Sequence, residues 1–345
     1  MRVDVQISEA IPLNRLLVTG GLGFIGSNFI LYAHEKWKSS NIVNLDAISF
    51  GAVPENLRGM EGKLRYKFVK GNTADMKIVG KLVNDVDVIV HFAAETHVDR
   101  SIADPESFLR SNVVGTFTLL EAARRSDIEK FVHISTDEVY GSITDGSFQE
   151  TDRLEASSPY SASKAASEMF VDAYFKTYGV PTVTMRCTNN FGPRQFPEKF
   201  IPKTIINALL GRSIPVYGSG TQVRDWIYVL DFCRAIDLAI EKGKAGSMYN
   251  VSASNELPNI QVVTAILEQL NRSNDLIQFV EDRPGHDFRY SLDSSRIRKD
   301  LGWRPQEIFA DALRQTVQWY VDNERWWKPL ITDKVLSAAP WKEKQ

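Results

Sequence analysis

The segment RLLVTGGLGFIGSNFI (15–30) joins a short apolar run to a helical pattern through a cluster of glycines. Gly20, Gly23 and Gly26 lie where glycine lets the backbone approach a pyrophosphate, whose charge the helix N-terminus stabilises. Asp46 ends the run NIVNLD, near the position about 20 residues on where an acid is expected to accept both ribose hydroxyls. The same carboxylate would repel the 2′-phosphate of NADP. These residues predict a Rossmann-type unit that binds NAD; a glycine-rich turn without a ligand is the alternative.

Short apolar runs alternate with helical patterns through the first half of the chain. The helical patterns include residues 24–36 and 108–124. Such alternation predicts an α/β fold with a Rossmann-type doubly wound parallel sheet and helices on both faces. The six predicted strands are RLLVT (15–19), NIVNL (41–45), RYKFV (65–69), DVIVHF (87–92), KFVHIS (130–135) and TVTMRC (182–187).

The pattern changes near residue 190, where Pro, Gly and Asn become frequent. We therefore expect an NAD-binding Rossmann domain over residues 1–190, with later segments near 225–252 rejoining it. Residues 191–345 are expected to form mainly a smaller mixed α/β substrate-binding domain and a Trp-rich C-terminal tail. Within this part, PVYGSGTQVRDWIYV (215–229) predicts a hairpin or an extended lobe.

Charge and cysteine content argue against several classes of function. The net charge is −2 with no long basic run, which argues against nucleic acid or an anionic membrane as the main partner. The apolar runs are far shorter than a membrane span, and MRVDVQISEAIPLN lacks the layout of a secretory signal peptide. Cys187 and Cys233 are the only cysteines, and the histidines show no metal-binding spacing. We therefore expect a cytoplasmic protein with no disulfide framework and no metal site.

The segment SSPYSASK (157–164) predicts the start of a helix that carries Tyr160 and Lys164 on one face. A free tyrosine, with a pKa of about 10, is a poor base at neutral pH. A nearby ammonium and the positive ring of oxidised nicotinamide would favour the phenolate. Tyr160 could then take a proton from a sugar hydroxyl as hydride leaves the same carbon, with Thr136 hydrogen-bonded to that hydroxyl.

Tyr-x-x-x-Lys also occurs at residues 32–36 and 66–70, so the spacing alone does not identify the site. The pair at 160–164 differs because it follows the strand that leads to Thr136, and ligands bind at the carboxyl ends of such strands. Two consecutive acids, Asp137 and Glu138, follow at this strand end. From the residues alone they are either two solvated loop acids or members of the site.

Seven segments carry a family resemblance: TGGLGFIGSNF, HFAAETHVDRSI, ISTDEVYG, PYSASKAASE, TNNFGPRQFPEKFIP, VRDWIYVLD and DRPGHDFRY. Through them the chain resembles the extended short-chain dehydrogenase/reductase superfamily and, more closely, its dTDP-glucose 4,6-dehydratases. The glycine motif and YxxxK belong to the whole superfamily, whereas STDEVYG together with HVDRS and RPGHD is much more specific. Most relatives, such as sugar epimerases, lack the Asp-Glu pair.

The resemblance gives each acid a task. In that family, hydride passes from C4 of the glucose to NAD and later returns to C6. Glu138 would remove the C5 proton, and Asp137 would protonate the C6 hydroxyl so that it departs as water. This requires a neutral Asp137 and an ionised Glu138 in one coupled pair. The product would be dTDP-4-keto-6-deoxyglucose, and the enzyme would be a lyase that regenerates its NAD.

The resemblance also implies binding residues by position. The catalytic set is Thr136, Asp137, Glu138, Tyr160 and Lys164. The positions implied to contact NAD are Gly20, Gly23, Phe24, Ile25, Gly26, Asp46, Ala47, Ser49, Asn72, Thr73, Phe92, Ala93, Ala94, Thr96, Ser111, Tyr160, Lys164 and Asn190. The positions implied to contact the sugar nucleotide are Thr96, Thr136, Asp137, Glu138, Asn189, Lys199, Phe200, Pro215, Tyr217, Arg224, Asn259, Arg283, His286, Asp287 and Tyr290.

Two details qualify these assignments. Arg224 and Arg283 suit a diphosphate because guanidinium groups match phosphate oxygens. Asn72 and Thr73 stand where the family usually has Asp and Ile. Asn72 can still accept a hydrogen bond from the adenine amino group through its carbonyl oxygen, but without charge.

Relatives dimerise by packing two helices from each subunit into a four-helix bundle. PESFLRSNVVGTFTLLEAARR (105–125) and YSASKAASEMFVDAYFKTY (160–178) would form it here, although both could instead pack only within the subunit. Three other functions remain open: 4,6-dehydration of a UDP-, CDP- or GDP-sugar, sugar-nucleotide epimerisation, and NAD binding by a non-catalytic sensor.

Overall fold

The computed structural model describes residues 14–342. The first 13 residues, on which most of the signal-peptide prediction rests, lie outside the described part, as do the last three. Within residues 14–342, no helix has both the length and the apolar character needed to cross a membrane.

The strands of the described part belong to one large sheet and two small ones. They are β1 Arg15–Thr19, β2 Asn41–Asp46, β3 Tyr66–Lys70, β4 Val88–His91, β5 Lys130–Thr136, β6 Thr182–Cys187, β7 Asn189–Phe191, β8 Ile214–Tyr217, β9 Val223–Tyr228, β10 Ser247–Val251, β11 Glu256–Pro258 and β12 Ile277–Val280.

The large sheet has seven parallel strands in the order β10-β6-β5-β4-β1-β2-β3. This confirms the predicted Rossmann-type doubly wound sheet. β4, β5 and β6 are buried along their whole length, as expected for parallel strands covered by helices on both faces. β10 comes from the second half of the chain and pairs with β6 at the sheet edge.

Helices cover both faces of this sheet. The α-helices of the described part are α1 Phe24–Lys36, α2 Met76–Val83, α3 Val98–Ala103, α4 Pro105–Phe108, α5 Gly115–Ala123, α6 Pro159–Tyr178, α7 Phe200–Leu210, α8 Val229–Lys242, α9 Asn259–Gln269, α10 Ser295–Leu301, α11 Phe309–Asp322 and α12 Glu324–Trp327. α1 packs against α8, while α2 and α6 pack on either side of α5. Two separate apolar clusters therefore enclose the sheet.

The continuous helix predicted over residues 108–124 is interrupted. α4 ends at Phe108, Leu109–Val114 form a π-helical turn, and α5 begins at Gly115. A π turn holds more residues than an α turn, so it changes which side chains face inward. Within this π turn, the side chain of Asn112 is almost completely buried.

The segment 215–229 does not form a hairpin, so that alternative is wrong. β8 pairs with β12, whereas β9 pairs with β7 and β11. The intervening turn has positive φ angles at Gly218 (54°) and Gly220 (73°). After this turn the two strands join different sheets, because each finds its partners elsewhere in the chain.

A buried ion pair joins α6 to β6, and its removal gives a stability prediction. The side chains of Arg186 and Glu168 are 4% and 2% exposed. Glu168→Gln would leave the guanidinium buried without its opposing charge, so we expect the free energy of unfolding to fall by about 3–5 kcal/mol in urea titrations. Asp172→Asn, on the same helix, breaks an ion pair with Lys176 whose side chains are 47% and 69% exposed. This control should lose less than about 1 kcal/mol, and equal losses would contradict the prediction.

Candidate active site

The residues predicted to bind the cofactor and to catalyse lie at the carboxyl edge of the large sheet. The glycine loop follows β1, the segment FAAET follows β4, and Thr136 ends β5. The strand order changes direction between β1 and β4, because β2 continues on one side of β1 and β4 lies on the other. Ligands of doubly wound sheets bind at such a switch point.

The glycine loop leaves the N-terminus of α1 open. A Cβ on Gly26 would lie 2.4 Å from the Gly20 carbonyl oxygen, so the close approach of α1 to the end of β1 requires glycine. Gly20 itself has a φ of 70°, and a Cβ there would lie 2.6 Å from the Ala93 nitrogen. Gly23 is the N-cap of α1, with no capping side chain and no acid in the first turn. The first amides of α1 can therefore bind a pyrophosphate, and this part of the site fits NAD.

Asp46 is fixed at the end of β2 by two backbone amides. Its carboxylate accepts from the N–H of Leu22 at 2.9 Å and from that of Ile48 at 2.8 Å. Burial raises the pKa of Asp46, and these two hydrogen bonds oppose the rise. The carboxylate thereby joins the glycine loop to the loop that carries Ala47 and Ser49, the other positions predicted around the ribose.

Asn72 and Thr73 differ in their surroundings. Asn72 is exposed, and its Oδ1 accepts from the Ala74 N–H at 2.8 Å. Thr73 is buried, and its Oγ1 lies 2.5 Å from where a Cβ on Gly115 would be. The carbonyl oxygen expected to meet an adenine amino group therefore already stabilises its own loop, and one lone pair is left for a ligand.

Asn112, in the π turn, holds the loop that follows β4. Its Oδ1 accepts from the Glu95 N–H at 2.8 Å, and its Nδ2 donates to the Glu95 carbonyl at 3.0 Å and to the Ser163 Oγ at 2.8 Å. The loop is thereby fixed relative to α6. Sequence reasoning missed Asn112 and selected its neighbour Ser111, which is partly buried in the same turn. A polar amide within an apolar helical pattern was the available signal.

The remaining positions predicted to contact NAD lie near the ends of β1, β4 and β6. Asn190, in β7, donates from Nδ2 to the Thr188 carbonyl at 3.1 Å, and its buried Oδ1 has no partner in the described part of the chain. Thr96 is exposed, and its carbonyl accepts from Lys199 at 2.8 Å. The partly buried members are Phe24, Ile25, Phe92, Ala93 and Ala94.

Thr136, Tyr160 and Lys164 come together where β5 ends and α6 begins. The Ser158 side chain caps α6, which places Tyr160 in its first turn and Lys164 one turn later. The Thr136 side chain lies near the Tyr160 phenol and lowers its pKa, against the larger effect of burial. Lys164 donates from Nζ to the Ile134 carbonyl at 2.6 Å. The ammonium group of Lys164 is therefore fixed to the backbone of β5, one helical turn after Tyr160.

Burial favours the neutral forms of both ionisable groups on α6. It lowers the pKa of Lys164 to about 8. Burial, followed by the charge of Glu138, raises the pKa of Tyr160 well above its usual value. The phenol is thus protonated in the chain alone, and converting it to a base requires positive charge from a ligand.

Asp137 has the environment of a proton donor. It opens a 3₁₀ turn, Asp137–Val139, directly after β5, and it is 2% exposed. Its Oδ1 accepts from the Thr136 hydroxyl at 3.1 Å, and its buried Oδ2 has no hydrogen-bond partner among residues 14–342. Burial, followed by the charge of Glu138, raises the pKa of Asp137 well above its usual value. The surroundings of Asp137 therefore favour its protonated form.

Glu138 lines the cleft and has cations around it. Burial raises its pKa, but Arg283, Lys199 and Arg224 act in the opposite direction. Its surroundings therefore favour the ionised form more than those of Asp137 do. Adjacent carboxyl groups with opposite protonation can supply an acid and a base to one substrate.

The cleft beside these acids spans about 1060 Å³, including its part that is open to solvent, and is lined by both halves of the chain. Of the positions predicted to contact the sugar nucleotide, it brings together Thr96, Glu138, Asn189, Lys199, Phe200, Pro215, Tyr217, Arg224, Asn259, Arg283, His286 and Tyr290. Thr136, Asp137 and Asp287 are not among its lining residues. The first two are buried, and the Asp287 carboxylate accepts from the Tyr290 hydroxyl at 2.7 Å.

Several lining residues were missed by sequence reasoning. They are His97, Asp99, Gln195, Glu198, Lys203 and Trp226, with the apolar neighbours Val98, Ile201 and Val216. His97 and Asp99 belong to HVDRS, which carried the family resemblance without an assigned role. The HVDRS motif could therefore have indicated His97 and Asp99. The remaining lining residues lie in an irregular loop or an apolar run, and no sequence pattern indicates them.

The architecture is that of a short-chain dehydrogenase/reductase. The helix α6, with Tyr160 and Lys164, follows β5, which ends at Thr136, and the open glycine loop lies at the same edge of the sheet. A family model described as GDP-mannose 4,6 dehydratase matches residues 17–316.

Individual relatives narrow the class further. The chain is 44% identical over 330 residues to the dTDP-glucose 4,6-dehydratase of Streptomyces niveus, covering 94% of this chain and 98% of that one. It is 48% identical over 309 residues to the low-salt glycan biosynthesis protein Agl12 of Haloferax volcanii, with coverages of 90% and 99%. The crystal structure of DesIV, a dTDP-glucose 4,6-dehydratase from Streptomyces venezuelae with NAD and dTDP bound, matches with a TM-score of 0.90 at 45% identity, covering 92% of this chain and 100% of that one. The chain belongs to the dTDP-glucose 4,6-dehydratase family.

The raised pKa of Asp137 predicts that Asp137→Asn stabilises the protein in a pH-dependent way. Above the unfolded-state pKa of about 3.9, the wild-type chain releases this proton on unfolding but retains it when folded. This costs the folded state about 1.4 kcal/mol for each pH unit up to the folded-state pKa. The variant should therefore be more stable than wild type at about pH 7.5 and similar to it near pH 4.

Unfolding at a series of pH values, with matched NAD content, measures this difference. Asp127→Asn at an exposed position is the control and should show no such trend. A stability gain that is the same at every pH would show that the effect comes from packing rather than from the buried ionisable group.

Proposed function

We propose that this chain converts dTDP-glucose to dTDP-4-keto-6-deoxyglucose with NAD as its bound cofactor. The observation that carries the proposal is the Asp137–Glu138 pair beside Tyr160, in which burial raises the pKa of Asp137 strongly while three cations oppose the rise at Glu138. An epimerase or a simple dehydrogenase has no step that uses this pair. A streptomycete relative carrying the dehydratase name and the NAD-bound structure of DesIV support the assignment.

Bound NAD would supply a reversible hydride acceptor and a positive ring that favours the Tyr160 phenolate. The open N-terminus of α1, with Gly20, Gly23 and Gly26, would hold its pyrophosphate, and Asp46 its adenosine ribose. Asn190 retains a buried oxygen without a partner in the described part, which suits a polar ligand group.

The side chains of this chain then divide the proton transfers. Tyr160 takes the proton of the C4 hydroxyl while Thr136 hydrogen-bonds the same oxygen. With the C4 hydride accepted by bound NAD, the C4 carbon would become a ketone that acidifies the C5 hydrogen, and Glu138 would remove that hydrogen as a proton. The electron pair of that C–H bond forms the C5–C6 double bond as the C6–O bond breaks. Asp137 gives its proton to the departing hydroxyl, which leaves as water.

Return of hydride to C6 and of a proton to C5 completes the product. The substrate has then lost one water, and C6 has been reduced at the expense of C4, so no external oxidant or reductant is consumed. Lys164 keeps the Ile134 carbonyl, and with it the end of β5, in register with α6 throughout.

Product mass distinguishes this function from its alternatives. Incubation with dTDP-glucose in deuterium oxide should give a product that lacks one water and carries one deuterium at C5, because solvent supplies the returning proton. An epimerase would retain the water. If only a UDP-, CDP- or GDP-sugar is turned over, that sugar nucleotide is the substrate instead of dTDP-glucose. NAD binding without turnover of any sugar nucleotide would indicate a sensor.

Glu138→Gln tests the assigned C5 base in the same assay. Loss of general-base catalysis should slow water elimination by about 10²–10⁴-fold and equally slow deuterium entry at C5. Glu155→Gln, at an acid whose side chain is 67% exposed, is the control and should react at the wild-type rate. Water elimination at the native rate in Glu138→Gln would require another base.

We further propose that residues 1–190, with the returning segment near 225–252, bind NAD and that residues 191–345 mainly bind the sugar nucleotide. β9, α8 and β10 fall within or next to that returning segment, and β10 lies at the edge of the large sheet. Many of the cleft residues come from Asn189 onward, which supports the second part. The cytoplasmic location stays a prediction.

We also propose a homodimer formed through a four-helix bundle to which each subunit contributes residues 105–125, which include α5, and residues 160–178 of α6. Phe117 of α5 and Phe170 of α6 lie 6.0 Å apart between ring centroids, and both are 39% exposed. Exposed apolar side chains grouped on neighbouring helices typically mark an interface. Its large members are Leu109, Val114, Phe117, Met169, Phe170 and Tyr178.

A single charge on this surface tests the dimer. Met169 is 65% exposed, and Met169→Glu would place two carboxylates in a symmetric interface, so we expect a shift from dimer to monomer in sedimentation velocity. Ile308→Glu, at a position 70% exposed and outside both helices, is the control and should remain dimeric. A monomeric wild-type protein, or a dimer unaffected by Met169→Glu, would contradict the proposed interface.

A further inference from the structure

Asp99 is a buried acid in the cleft wall that the proposed reaction does not use. It lies in the first turn of α3, is 2% exposed and lines the cleft. Its Oδ1 accepts from Nη1 of Arg283 at 2.8 Å, and its Oδ2 accepts from the Tyr217 hydroxyl at 3.1 Å. One carboxylate thus fixes two cleft residues that come from the second half of the chain.

The bond to Asp99 leaves part of the Arg283 guanidinium for a ligand. The Nε of Arg283 is buried and has no hydrogen-bond partner among residues 14–342. The side chain is 15% exposed and lines the cleft. A guanidinium fixed through Nη1 keeps its other N–H groups in a set direction, and this planar geometry suits phosphate oxygens.

Arg224, the other arginine expected at the diphosphate, is differently placed. Its Nη1 donates to the carbonyls of Val223 at 2.8 Å and Phe288 at 3.2 Å. Its Nη2 lies 2.9 Å from His286 Nε2 and donates to the Asp287 carbonyl at 2.9 Å. Arg224 therefore mainly holds the loop from His286 to Phe288, and Arg283 has more capacity left for an anion.

Tyr217 is fixed at both ends of its side chain. Its hydroxyl donates to Asp99, and its ring meets the Trp341 ring edge-on, with centroids 5.0 Å apart. The aromatic ring is therefore held as one rigid part of the cleft wall. Without the carboxylate, its hydroxyl and the Arg283 guanidinium would each lose their shared partner.

We propose that Asp99 is a positioning residue for the nucleotide diphosphate, holding Arg283 and Tyr217 in the orientation that binds it. The proposal rests on the proposed function, because it assigns the cleft to a nucleoside-diphosphate sugar. Asp99 touches neither the reacting carbons nor the catalytic side chains in this scheme. Replacing Asp99 should therefore weaken binding of the nucleotide and leave the rate of the chemical step unchanged.

The test compares Asp99→Asn with wild type as NAD-bound full-length protein. Asparagine keeps the shape but loses the charge and one acceptor, so we expect the Kd for dTDP, measured by calorimetry, to rise about ten-fold or more. The KM for dTDP-glucose should rise similarly, with kcat within about two-fold of wild type. NAD content and the unfolding midpoint should separate this effect from general damage.

Asp231→Asn is the matched control. Asp231 is 1% exposed and accepts from Arg234 Nη1 at 2.7 Å, so it is also a buried acid paired with an arginine, but it does not line the cleft. Its replacement should leave the Kd for dTDP unchanged even if it lowers stability.

Tyr217→Phe is a second variant in case Asp99→Asn does not fold. Removal of the single hydroxyl should weaken dTDP binding about three-fold.

The outcomes separate this proposal from the proposed function. Wild-type protein that binds dTDP, with equal or tighter binding by Asp99→Asn, overturns the positioning role alone; tighter binding would show that the carboxylate mainly repels the diphosphate. A fall in kcat without a change in Kd also overturns it. Wild-type protein that binds UDP or GDP but not dTDP overturns the proposed substrate, and the same comparison is then made with that nucleotide.

Discussion

The parallel direction of β1, β4, β5 and β6 is the constraint on which the rest of the structure depends. Because all four strands run the same way, the side chains at their carboxyl ends meet at one edge. A hydrogen-bonded series locks this edge: Thr19 Oγ1 lies 2.7 Å from His91 Nδ1, and His91 Nε2 lies 3.0 Å from Thr116 Oγ1. The ends of β1 and β4 and the start of α5 are thereby fixed beneath the glycine loop.

Burial at this edge sets the charges of the site before any ligand arrives. It raises the pKa of Asp137 and Tyr160 and lowers that of Lys164 to about 8. The three side chains would all be easier to accommodate in water, so the folded chain carries them at a cost in stability. Glu138 differs because cations from the other half of the chain oppose the effect of burial. The two halves therefore contribute jointly to one electrostatic arrangement.

Local patterns predicted the strands and the fold class well. RLLVT and TVTMRC match β1 and β6 residue for residue, because continuous apolar, β-branched runs between polar segments suit buried parallel strands. The predicted helix over residues 24–36 matches α1. The π turn at Leu109–Val114 was missed because one extra residue in a turn barely alters an apolar pattern. The hairpin was wrong because turn residues show where a chain bends and do not show which strand its neighbour pairs with.

The candidate site was predictable to the extent that its residues are close in sequence. Thr136, Asp137 and Glu138 are consecutive, and Tyr160 lies one helical turn before Lys164. Asp99 acts through Tyr217 and Arg283, which are 118 and 184 residues away. Asn112 acts through residues 17 and 51 positions away, and none of these contacts has a periodic or spacing signal. A sequence motif does not show which side chains are buried. The directions in which burial changes the pKa of Asp137 and of Lys164 could therefore be read only from the folded structure. The individual roles of these residues stay predictions.

The contact of Trp341 with Tyr217 has a practical consequence for work with this protein. Trp341 lies in the last described turn, and its neighbour Lys342 forms an ion pair with Glu281 close to the segment that supplies Arg283. An affinity tag joined to the chain directly after this turn would therefore begin next to the cleft wall. Binding constants measured with such a tag would include its own contacts or strain, and removing the tag before calorimetry would eliminate that contribution.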